Sequence, residues 1–287
     1  MKRSVVVLLS LFFAGAALAA GPAAVRKRVE ASMLVTGMVQ VAADGSVASY
    51  TLDKREKLPP VVLDLIQKAT SVWHFKLEPI NGVVSPVAAK MSIRMLAKPI
   101  GDDNYSVSVA GANFGEYHAS GDQISYKDRK PPSYPQEAVQ SRVSGTVYLL
   151  VRVGRDGKVA DVAVEQVNLD VVDSDNGMKH WRKLLGEASM RAAHDWTYNI
   201  PTTGKFVNAP YYFARVPVNY HLTVVGESEP DTYGKWVGYV PGPKETISWL
   251  APYEHDKQVE KFNDALPDGG AYLVGSGLTL TTPPDNS

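Results

Sequence analysis

Cysteine is absent from all 287 residues, which excludes disulfides, thiolate metal sites and a cysteine nucleophile. An excess of either charge is missing too: 30 basic side chains cancel 30 acidic ones, so no broad positive field exists to hold a phosphate backbone, and no nucleic-acid partner is expected. Beyond residue 20 no apolar run is long enough to cross a bilayer. Histidine is scarce, and His180 and His194 lack the i, i+4 spacing of a helical metal pair. The acidic stretch Asp170, Asp173, Asp175 has calcium-loop composition, but Gly177 is misplaced for that loop and no terminal glutamate follows at the needed distance. Gly-x-Ser-x-Gly and His-Glu-x-x-His are likewise absent. Neither an enzyme nor a metal or small-molecule cofactor is therefore expected.

What is present begins with export. Lys2 and Arg3 precede the apolar run Val5–Phe13, and Ala17-Leu18-Ala19 fits a signal-peptidase site. Residues 1–20 read as a signal peptide cleaved after Ala19, leaving a soluble or peripheral chain suited to a bacterial periplasm. The alternative is a retained inner-membrane anchor with the rest of the chain facing the periplasm.

An internal repeat organises the remainder. Val39-x-Val41-x-x-Asp44-Gly45-x-Val47 matches Val151-x-Val153-x-x-Asp156-Gly157-x-Val159 position for position. In each, alternation places the valines on one face and Asp-Gly supplies a tight turn. Each copy continues into a helical pattern, then Trp73-x-Phe75 or Trp196-x-Tyr198, then another alternating run, Met91-x-Ile93-x-Met95 or Phe213 to Leu222. Three landmarks in one order argue for a duplicated unit of β-hairpin, helix and strand. The tryptophans are expected in the core, wedged between helix and sheet. Tyr105-x-Val107-x-Val109 adds one more strand. The reading divides the chain into a first unit at 24–115, a linker at 116–130, a second unit at 131–226 and an extended Pro/Gly-rich tail at 227–287, with one helix near His255 to Leu266.

Pro132-x-Tyr134-Pro135-x-x-Ala138, Gly145-x-Val147-x-Leu149, the Asp156-Gly157 turn, Trp196-x-Tyr198 and Val216-Pro217-Val218-x-Tyr220 together resemble the C-terminal domain of the TonB family, over residues 128–225. Residues 26–98 look like a degenerate second copy without the Tyr-Pro lead-in. The resemblance implies an α+β fold, two small antiparallel sheets each with a helix packed on one face. It also implies that the chain binds a protein or peptide partner, the N-terminal segment of an outer-membrane transporter being the candidate, by adding a strand to an open sheet edge. The expected edge is the final strand, with Phe213, Arg215, Val216, Val218 and Tyr220 along it and the Tyr134-Pro135 corner beside it. Pro217, which lacks a ladder donor, suits an edge. Open edges also permit a homodimer. Force-transmitting relatives carry a retained anchor and a long Pro-rich spacer, and no such spacer is found here. A membrane-anchored energy transducer is the second reading, and an envelope enzyme of unknown type the third.

Overall fold

The computed structural model describes residues 21–79, 82–101, 104–115, 121–223, 231–253 and 263–284, so the signal-peptide reading lies outside the described residues. A short helix α1 (Pro22–Arg26) leads into β1 (Glu30–Val41) and β2 (Val47–Leu52), paired as a hairpin. Met33, Val35, Val39 and Val41 recur at even spacing, so all four fall on one face of β1 and are buried. Helix α2 (Pro60–Val72) starts on a proline, whose missing N–H costs nothing in a first helical turn, and lays Val62, Ile66 and Ala69 on that face. Strand β3 (Phe75–Lys76) follows, then β4 (Val87–Gly101) pairs with the other side of β1, and β5 (Asn104–Phe114) folds back along β4.

The second sheet repeats this plan. After β6 (Ser125–Asp128) and α3 (Gln136–Gln140), β7 (Gly145–Gly154) and β8 (Val159–Leu169) form the hairpin, α4 (Asp175–His194) the helix, and β9 (Thr197–Asn199) and β10 (Tyr211–Tyr220) the return. Ser174 caps α4, its Oγ accepting the Gly177 N–H at 3.2 Å. The first hairpin strand is central in both sheets: β4-β1-β2 in one and β10-β7-β8 in the other. Both units are α+β with antiparallel sheets, as expected, though each carries more strands than the three of hairpin and return.

One contact recurs in both units and explains the Trp-x-aromatic motif. The Phe75 N–H donates to the Gly45 carbonyl at 2.8 Å, and the Tyr198 N–H donates to the Gly157 carbonyl at 2.8 Å. Each bond clips the hairpin turn to the chain leaving the helix. Both glycines have positive φ, 90° and 77°, and a Cβ on either would stand 2.3 Å from the carbonyl oxygen of its aromatic partner. Trp73 and Trp196, two residues upstream of the clasp aromatics, are buried as expected. The Trp196 indole donates to the Lys130 carbonyl at 2.8 Å.

Three boundaries differ from the sequence reading. Residues 125–128, read as linker, form β6 and pair with β9, while Ile124 enters the second core; a four-residue strand is too short to register as alternation. Val25, read as the start of the first unit, is buried in the second core, and Arg28 pairs with Asp175. The tail is a strap built from short strands: β11 (Val237–Tyr239) pairs with β1, β12 (Tyr272–Leu273) with β10, and β13 (Thr279–Leu280) with β3. Ile247, Trp249, Leu250 and Val274 pack with Leu150 and Phe213 on the face of the second sheet turned away from α4. The helix expected near His255 to Leu266 lies mostly outside the described residues, and Asn263–Leu266 are not helical. Among the described residues no helix is long and apolar enough to cross a membrane.

Gly45→Ala and Gly157→Ala are each expected to destabilise the chain by more than the ~1–2 kcal/mol that a left-handed backbone costs an L-residue, because the added Cβ also displaces a carbonyl. Thermal unfolding would register this as a Tm lower by several degrees for each. An unchanged Tm for either variant would show that the clasp carries no stability.

Candidate functional site

The sheet edge formed by β10 is built by pairing on one side only. Tyr211–Tyr220 pair residue for residue with β7, from Tyr211 opposite Gly154 to Tyr220 opposite Gly145. Backbone groups of alternate residues point to opposite sides of a strand. Because Val274 N–H donates to the Phe213 carbonyl at 2.8 Å, Phe213, Arg215, Pro217 and Asn219 form the outward set. Pro217 therefore sits where its missing N–H interrupts no bond to β7, as the sequence predicts for an edge.

The edge is not wholly open, contrary to expectation. Ala214 and Arg215 pair with Leu273 and Tyr272 of the tail. Asn219 Nδ2 also donates to Asp268 Oδ2 at 3.2 Å. Among the described residues no backbone bond from the tail reaches Pro217, Val218, Asn219 or Tyr220. The tail lies too far along the chain for any local pattern to have announced this pairing.

The side chains of the predicted site residues are committed inward. Val216, Val218 and Tyr220 point into the core beneath α4 and are at most 3% exposed. The Tyr220 hydroxyl meets Ser189 Oγ at 2.9 Å. Phe213 occupies the opposite face, stacked on Trp249 at 6.1 Å between ring centroids. Arg215 shares that face in a buried fork with Glu165: Nε lies 2.8 Å from Oε2 and Nη2 lies 3.0 Å from Oε1. Tyr134 is half-buried, donates to the Val143 carbonyl at 2.6 Å and meets the Tyr220 ring edge-on at 5.1 Å. Pro135 caps α3. The corner and the end of β10 are thus neighbours, and what β10 presents to a guest is main chain.

A cavity of about 680 Å³ opens beside this edge, between the two sheets. Thr36 and Arg94 contribute from the first unit, Tyr148, Asp170 and His221 from the second, and Tyr233 and Asp268 from the tail. Burial pushes the Asp170 carboxyl up to about 6; His221 opposes the shift and Asp268 reinforces it. Sequence reading placed Asp170 in an acidic cluster with Asp173 and Asp175, but the three diverge. Asp173 accepts from the Trp181 indole at 3.0 Å, a bond that holds its carboxyl below the usual range, and Asp175 pairs with Arg28.

Residues 130–222 match the family described as the Gram-negative bacterial TonB protein C-terminal. Two curated proteins, both called Protein TonB, come from Xanthomonas campestris pv. campestris strains B100 and ATCC 33913. Each is 34% identical over 99 residues, covering 34% of this chain. The chain spans only 38% of the length of either relative. No solved structure matches.

Arg215→Ala is expected to cost roughly 3–5 kcal/mol in urea unfolding, because it strands a buried carboxylate, whereas Arg215→Met with Glu165→Leu recovers most of that loss. For Asp170 the folded pKa lies above the ordinary 3.8, so its share of stability is full below that value and is lost as pH rises through about 6. Asp170→Asn should therefore raise stability at pH 7, by at most about 3 kcal/mol, and flatten the stability profile between the two pKa values. Unfolding free energies measured across that range check both statements.

Proposed function

We propose, from the premise that residues 130–222 are a TonB C-terminal domain, that this protein acts in the periplasm as a binding component of TonB-dependent outer-membrane transport. It holds an extended segment of a transporter by strand addition along β10. The observation that carries this reading is the outward backbone of β10: Pro217 and Asn219 receive no main-chain bond from the tail among the described residues, while Phe213 already accepts one. Strand addition draws its affinity from main-chain hydrogen bonds, which suits a strand whose own side chains are spent on the core. Tyr134 packs its ring on Tyr220, so the Tyr134-Pro135 corner neighbours the Tyr220 end of that strand.

The first unit, at 24–115, is read as a degenerate copy of the same domain, supported by the shared strand order and the shared turn clasp. Binding is assigned to the second unit. In the first, the strand equivalent to β10 is β4, and its outer side is taken by β5 from Met91 to Gly101.

Titrating the mature, isotopically labelled chain with peptides from the N-terminal segments of outer-membrane transporters should shift backbone amides between Phe213 and Tyr220. Saturable binding with every perturbation elsewhere would rule out strand addition at β10.

A further inference from the structure

The strand that tail residues Tyr272 and Leu273 lay on β10 lies beyond the matched region, and it occupies the outer edge on which the proposed function rests. We infer that this tail strand is an internal stand-in for the guest, and that it must leave before the full edge can accept a partner.

The two units supply the comparison that carries the inference. On β4, the edge is sealed by β5, the other arm of a local hairpin, in a ladder running from Met91 opposite Phe114 to Gly101 opposite Asn104. On β10, among the described residues, the equivalent side is sealed from Phe213 to Arg215, by a segment more than fifty residues further along the chain. The first seal is as permanent as the sheet. The second is short and flanked by Gly269, Gly275 and Gly277, all at positive φ, so the strand cannot extend without changing the backbone at those positions. Beyond it the chain turns away to pair as β13 with β3 of the first unit.

The stand-in also specifies its replacement. Leu273 is buried in the core beneath α4, and Val274 packs on the opposite face with Leu150, Phe213 and Trp249. Successive residues of a strand face opposite sides, so this edge fits an extended segment with two adjacent apolar side chains, one for each face. A segment tethered to its own site acts at an effective concentration near millimolar, so a free guest binds the tail-closed protein weakly.

The test uses the full mature chain and a synthetic peptide copying residues 269–278. Tyr272→Ala with Leu273→Ala weakens the tail strand; the peptide should bind this variant at least tenfold more tightly than wild type, with amide shifts at Phe213 and Arg215. A second variant guards against misfolding. Ala214 and Leu273 lie directly opposite between two hydrogen-bonded pairs, the closer kind of antiparallel pair, and the chain has no other cysteine, so Ala214→Cys with Leu273→Cys locks the strand when oxidised. Locking should abolish peptide binding and reduction should restore it. Equal affinity for wild type and the alanine variant, or binding that survives the lock, overturns the inference. A transporter peptide run in parallel separates the two ideas: if the tail peptide binds the released edge and the transporter peptide does not, the inference stands and the transporter reading falls.

Discussion

Each unit depends on one backbone hydrogen bond that joins its hairpin turn to the chain leaving its helix. A hairpin alone is marginal in water, and a helix packed on two strands can slide. Clipping Gly45 to Phe75, and Gly157 to Tyr198, anchors the far end of the hairpin to the point where the helix stops. The tryptophan two residues upstream is driven into the core by the same fixed backbone. In both units the return strand then pairs beside the first hairpin strand, β4 with β1 and β10 with β7. Glycine is required at the turn for two reasons at once, a left-handed backbone and a carbonyl that fills the place of a Cβ.

From that clasp follow two sheets of one order with different fates. The first acquires β5 from its own local chain. The second leaves the corresponding side of β10 to the tail, which pairs with it briefly and goes on to touch β3. The same tail covers Leu150 and Phe213 on the far face of the second sheet with Ile247, Trp249 and Val274. Along β10 the apolar side chains are packed on one face or the other and Arg215 is paired with Glu165, which leaves the main chain as the chief group its edge can offer.

Much of this was legible because it is local. Asp-Gly followed by alternating valines announces a hairpin, and the helical spacing of Val62, Ile66 and Ala69 announces the helix that covers it. The recurrence of the two tryptophan motifs pointed to hairpin, helix and return strand in the same order twice along the chain, and Pro217 marked an edge because proline has no donor for a central ladder. The tail was not legible. Its strands are two or three residues long, below the length at which period two can be seen, and each exists only because a distant edge lies beside it. The Arg215–Glu165 fork was equally hidden: its members lie fifty residues apart, and nothing local distinguishes Arg215 from a solvent-facing arginine at a strand edge.

The sequence by itself determined the two hairpins, the helices and return strands that follow them, the turn glycines and the buried aromatics, because periodicity, turn chemistry and backbone sterics act over a few residues. Only the tertiary structure decided which edge is sealed and by what, that residues 125–128 of the linker form a strand, that Val25 belongs to the second core, and that Asp170 stands in a cavity apart from its acidic neighbours. Those outcomes depend on which segments meet in space, and pairing between strands can be satisfied by any backbone that arrives, so composition leaves little mark of it.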